Sequence, residues 1–186
     1  ANFPLPTAWL SPTYSMFKAR GARKFALLGR ELHPVSMGFL GKLYAMVSGD
    51  GPDAEGAEVV MLRCESEQTN PNGATCKNDA DCPGDEACVP PSMRQDSVSY
   101  QFLNVLEYLN WAEQLKKEDP DVLIMCHGTE DYYNWVEALA VSQYTPKAAF
   151  HLVMGFAGTL VELPNSPQKH WTGAGMWTRD QAGGVS

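Results

Sequence analysis

The run Pro120-Asp121-Val122-Leu123-Ile124-Met125-Cys126-His127-Gly128-Thr129-Glu130-Asp131-Tyr132 constrains this chain more than any other stretch. Val122 to Cys126 is apolar, has the length of a strand and emerges from a Pro-Asp turn. It then breaks into Gly and polar residues before a helical pattern through Trp135, Val136 and Leu139. A strand that is apolar throughout is buried on both faces, the situation of a parallel strand with helices above and below. In open sheets of that kind, ligands bind beyond the carboxyl ends of the strands. The polar loop from His127 to Asp131 is therefore the first candidate site.

The remaining sequence repeats the alternation. Pro4, Pro6 and Pro12 give residues 1–13 the character of an extended connecting segment, and Tyr14 to Arg20 predicts a short helix ending at Gly21. Lys24 to Gly29 reads as a buried strand, followed by a polar loop at Arg30 to Pro34. Phe39, Leu43, Met46 and Val47 fall at helical spacing within Val35 to Val47, and Ala57 to Leu62 reads as a second strand. Tyr100 to Lys117 predicts a long amphipathic helix carrying Phe102, Leu103, Leu106, Leu109 and Leu115, with a basic end. Further elements are a helix over Tyr132 to Ser142, a strand over Ala148 to Met154, a short helix opening at Gly155-Phe156, and a short strand over Trp171 to Trp177. Such alternation predicts an α/β fold, a parallel sheet with helices on both faces. At 186 residues there is room for one full domain. We place it at 14–178, interrupted by an insert at about 63–93 and followed by a flexible tail at 179–186.

The insert is set apart by its cysteines. Cys76, Cys82 and Cys88 are equally spaced in a segment with almost no apolar residues, and Cys64 lies upstream. A loop that cannot hold its shape by burial uses covalent cross-links instead. Two disulfides among the four are expected, in one of three pairings that spacing leaves open. Cys126, inside the apolar strand, is expected to be a buried thiol. Zinc is the competing reading, but the insert holds neither a Cys-x-x-Cys pair nor a histidine. No metal site is therefore expected. Disulfides imply an oxidising compartment: extracellular, cell-surface or periplasmic in type.

A net charge of −8 argues against nucleic acid and anionic membrane as partners. Lys18, Arg20, Arg23 and Lys24 form the one basic cluster, and they sit where a helix end is solvated. No apolar run approaches the roughly 18 residues that span a bilayer, so a membrane would be met only through further sequence. Ala1-Asn2-Phe3-Pro4 lacks the charged and apolar stretches of a signal peptide.

The order of elements resembles one lobe of the type I periplasmic-binding fold, the leucine-binding-protein and receptor ligand-binding family. The resemblance is carried by Phe17-Lys18-Ala19-Arg20-Gly21-Ala22-Arg23-Lys24-Phe25-Ala26-Leu27-Leu28 and by Glu55-Gly56-Ala57-Glu58-Val59-Val60. To these are added Leu115-Lys116-Lys117-Glu118-Asp119-Pro120-Asp121-Val122-Leu123-Ile124 and Thr145-Pro146-Lys147-Ala148. The cysteine-rich insert departs from bacterial members of the family. The resemblance implies a Rossmann-like lobe of an extracellular receptor or substrate-binding protein for a small polar solute such as an amino acid. That family closes on its ligand between two lobes, so a second lobe, from a longer chain or another subunit, is implied as partner. Cleft-facing positions would be Arg30, Glu31, Leu32 and His33, then His127, Gly128, Thr129, Glu130 and Asp131, then Gly155 and Phe156. Glu130 or Asp131 would pair with a ligand ammonium, Tyr132 would stack on it, and the Gly128 and Thr129 N–H groups would hold a carboxylate. Thr129, Glu130 and Asp131 are equally ordinary cap and first-turn residues of the next helix.

Enzymatic readings find little support. Cys126 and His127 are strand neighbours pointing to opposite faces and cannot form a dyad. There is no nucleophile elbow, phosphate-binding glycine loop or separated carboxylate pair. The chain is expected to be non-enzymatic and to need no cofactor. An EF-hand frame from Asp79 fits at Asp81 and Gly84 but fails at Pro83 and Pro90. Trp111, Trp135, Trp171 and Trp177 read as packing residues. The alternative function is structural: an interaction domain in a secreted or cell-surface assembly, with the insert as its contact module.

Overall fold

The computed structural model describes residues 7–30, 34–49, 56–93, 105–126, 129–151 and 171–173. Helix α1 (Thr7–Ala19) leads into strand β1 (Lys24–Arg30) through a Gly21 turn. Gly21 has φ +93, and the Ala22 N–H donates to Phe17 O while the Gly21 N–H donates to Lys18 O. This is the paired closure of a helix by a left-handed residue, which glycine adopts without strain. The helix starts earlier than expected: residues 7–13 are helical rather than extended, with Pro12 inside. Pro12 removes only the N–H that would reach the Ala8 carbonyl. Burial of Tyr14 and Phe17 against β1 offsets that loss, with the Tyr14 ring 5.3 Å from Phe25.

Helix α2 (Pro34–Ser48) and strand β2 (Glu58–Val60) follow, then the insert with β3 (Arg63–Cys64), β4 (Cys88–Val89) and β5 (Ser92–Met93). Helix α3 (Val105–Glu118), β6 (Val122–Met125), α4 (Thr129–Val141), β7 (Ala149–His151) and β8 (Trp171–Gly173) complete the order. Strands β2, β1, β6, β7 and β8 lie side by side in that order, all parallel. The expected α/β class and parallel sheet are present.

The sheet divides two apolar layers by strict alternation along each strand. Ala26 and Leu28 of β1, with Leu123 and Met125 of β6, pack against Tyr108, Trp111, Ala112 and Leu115 of α3 and Trp135 and Leu139 of α4. Phe25 and Leu27, with Val122, Ile124 and Cys126, pack against α1 and α2 through Tyr14, Phe17, Phe39, Leu40 and Leu43. Cys126 is buried and outside any disulfide, as its place in the strand predicts. One phase was misread. Leu106 is 61% exposed, because the inward stripe of α3 runs through Tyr108, Trp111, Ala112 and Leu115. Two aromatic rings outweigh the leucines in setting the helix face.

The insert is spliced into the sheet edge. Odd-numbered residues of β1 turn their backbone groups toward β2: Arg23 O accepts from the Glu58 N–H, and the Gly29 N–H donates to Pro91 O. Strand β2 therefore covers Lys24 to Ala26 and β5 covers Gly29 and Arg30 on the same edge. Met61, at φ +65, turns the chain out of the sheet between them. Two interleaved disulfides, Cys64–Cys82 and Cys76–Cys88, close the insert. Its acidic residues serve the backbone. Asp79 accepts from the Cys88 N–H at 2.8 Å, Asp81 from the Lys77 N–H at 2.7 Å, and Glu86 from the Ser66 N–H at 3.1 Å. Arg63, 1% exposed, donates to the carbonyls of Met61, Leu62, Asn70 and Pro71. Its guanidinium lies 5.6 Å from the Trp111 ring, tying insert to domain.

Candidate functional site

Strand order makes β1 and β6 the place where the chain changes direction across the sheet. After β1 it goes to β2 on one side, and the next long strand, β6, lies on the other. The helices that follow, α2 and α4, pack on opposite faces. The usual ligand position in such sheets is beyond the carboxyl ends of the two strands where the chain diverges in this way. Arg30 is the last residue of β1, and Asp131 lies in the first turn of α4 just beyond β6.

These two residues meet. Arg30 Nη1 lies 3.1 Å from Asp131 Oδ2, with Arg30 7% and Asp131 1% exposed. The Tyr108 hydroxyl donates to Asp131 Oδ1. Burial first, then the Asp131 charge and the hydrogen bond to it, hold the Tyr108 phenol well above its usual range, so it stays a donor. The Tyr108 ring stands edge-on to Trp135 at 5.3 Å and 84°, which fixes the hydroxyl's aim. A carboxylate in the first turn of a helix also meets the positive end of its dipole. Asp131 is thus held by a cation, a phenol and a helix terminus supplied by three elements. Met93 on β5 is in register with Arg30, and His151, at the end of β7, is in register with Met125 of β6; both are buried.

Of the residues expected to face ligand, Asp131 and Arg30 are the ones whose surroundings are described. Asp131 occupies the predicted place at the strand ends, and Arg30 is the cation beside it. Thr129, Glu130 and Tyr132 lie in the first turn of α4. Glu31, Leu32, His33, His127, Gly128, Gly155 and Phe156 fall outside the described residues. Arg30, expected in a loop, closes β1 instead, because β5 extends the pairing to that residue. Tyr108 went unrecognised; its signal was the spacing to Trp111 and Leu115, which marks an inward position on α3. The sulfurs of Cys64, Cys76 and Cys82 lie together, but all three are in disulfides and offer no thiolate to a metal.

Chemically, the cluster presents one buried positive and one buried negative group that cancel. The chain matches no known family model, no curated protein and no solved structure.

Proposed function

We propose that this domain binds a small, net-neutral polar solute, an amino acid or similar zwitterion, at the carboxyl ends of β1 and β6. In this reading it is a non-enzymatic ligand-binding lobe of an extracellular receptor or substrate-binding protein of the type I periplasmic-binding kind. The second lobe comes from a longer chain or another subunit. The observation that carries it is the buried Arg30–Asp131 pair at the ends of these strands. A solute bearing one carboxylate and one ammonium replaces that pairing charge for charge, carboxylate to Arg30 and ammonium to Asp131. A singly charged solute leaves one protein charge buried without compensation, at a cost of several kcal/mol. The two disulfides fit an oxidising compartment. Among the described residues, no helix is long and apolar enough to cross a membrane.

The test is thermal unfolding without reductant, against α-amino acids and against singly charged analogues such as propionate and propylamine. Zwitterions at one hundred times Kd add about 2.7 kcal/mol, a rise of roughly 5–10 °C for a chain of this size. Equal shifts from the singly charged analogues, or none from any zwitterion, refute the reading.

A further inference from the structure

A second site lies along β2, at one edge of the sheet among the described strands. A groove of about 420 Å³ runs along β2, and every residue from Ala57 to Leu62 lines it. One wall is α2, through Tyr44 and Ser48; the other is Glu118 at the end of α3, on the opposite face of the sheet. The insert closes the far end, where the Cys76 N–H donates to Leu62 O and takes over the edge. Strand β2 is terminal among the described strands.

The floor is a row of backbone groups. Glu58 turns its N–H to Arg23 O of β1, so by alternation Val59 turns its N–H and C=O outward into the groove. The two walls differ in character. On the α3 face stand the exposed Glu58 and the half-buried Glu118, the latter paired with Lys24 at 3.3 Å. On the α2 face, Val59 packs against the apolar layer beside the half-buried Tyr44. Asp79 adds negative charge near Tyr44, whose phenol is raised first by burial and also by that charge. Among the described residues that line the groove, Lys77 at the insert end is the cation.

We propose that this groove takes an extended segment of a partner protein, added as a strand beside β2, in which basic residues alternate with apolar ones. Backbone pairing to Val59 supplies the attachment, as in recognition by strand addition. Alternation of side chains then places basic groups against Glu58 and Glu118 and apolar groups against Val59 and Tyr44. The insert fits this role, because its disulfides hold the end of the groove rigid. The site shares no residue with the carboxyl-end cluster, so either stands without the other.

The test uses the oxidised chain and fluorescein-labelled Val-Lys-Val-Lys-Val-Lys, read by anisotropy, with Val-Glu-Val-Glu-Val-Glu as the counterpart. Saturable binding of the lysine peptide is expected, with the glutamate peptide weaker by about tenfold or more. Val59→Pro removes only the outward N–H, which proline tolerates on an edge strand, and lowers affinity by about tenfold. Glu58→Lys weakens the lysine peptide and strengthens the glutamate peptide. An unchanged melting temperature and a complete set of disulfides confirm that each variant is folded. Equal binding of both peptides, no saturation, or indifference to Val59→Pro overturns the proposal. So does sedimentation showing that the edge is filled by a second copy of this chain at micromolar concentration.

Discussion

Replacing Asp131 by Asn tests the central cluster directly. The Arg30 guanidinium, 7% exposed, would then face a neutral amide with no solvent to take up its charge. Removing one member of a buried ion pair costs about 3–5 kcal/mol, against less than about 1 kcal/mol for an exposed pair. Arg30→Met makes the converse error, leaving the Asp131 carboxylate buried without its guanidinium partner, and should cost a similar amount. The double variant Arg30→Met/Asp131→Leu removes both charges and both desolvation penalties. It should fall within about 1 kcal/mol of the parent or exceed it, giving a coupling of several kcal/mol where independent sites would simply add. The assay is urea unfolding at pH 7 without reductant, with the slope checked for constancy across the four proteins. Single variants costing under about 1 kcal/mol would mean that the pair lies in water, and additive costs would mean that the two side chains do not sense each other. The stable double variant also isolates function: it should lose any zwitterion-induced rise in melting temperature while keeping the fold.

Four further outcomes are expected. Arg63→Met keeps the stem against Trp111 but strips four carbonyls of their donor; a loss of roughly 3–5 kcal/mol and faster proteolytic cleavage within the insert should follow. Asp121 accepts from the Arg23 and Lys24 N–H groups at 2.9 and 3.0 Å, and the first of these chiefly holds its carboxyl below the usual range. A carboxylate depressed in the folded state stabilises above its unfolded value and loses that effect as pH falls through the folded value. The deficit of Asp121→Asn should therefore be about 1 kcal/mol at pH 7, start to shrink as the pH falls through about 4, and be gone only below the depressed folded value, as followed by unfolding across pH. Thiol titration should find no reactive group in the native protein and one, Cys126, after denaturation without reductant. Cys76→Ala/Cys88→Ala, which opens a loop of sequence separation 12, should cost about 3 kcal/mol in a denaturation series.

Much of this architecture can be read from the chain because it rests on local chemistry. Val122 to Met125, apolar throughout, had to be a doubly covered strand, and Gly21 had to close a helix, since its φ of +93 suits glycine. Four cysteines in a segment without apolar residues had to be cross-linked. What the sequence left open depends on which distant residues meet. The β3–β4 ladder sets Cys64 opposite Cys88, yet Cys64 is bonded to Cys82 and Cys76 to Cys88, so the pairing follows from how the rest of the insert folds back on that ladder. The phase of α3 went to Tyr108 and Trp111 because the sheet offered a deep apolar layer to rings. Asp131 was visible as a polar residue at a strand end. That Arg30, also visible at a strand end, pairs with it was not, since the two stand a hundred and one residues apart and meet only where β1 and β6 end side by side. Periodicity and turn chemistry act over a few residues, so the sequence by itself determined the elements and their alternation. Charge pairing, disulfide connectivity and the open β2 edge arise from contacts across the chain, and only the tertiary structure decided them.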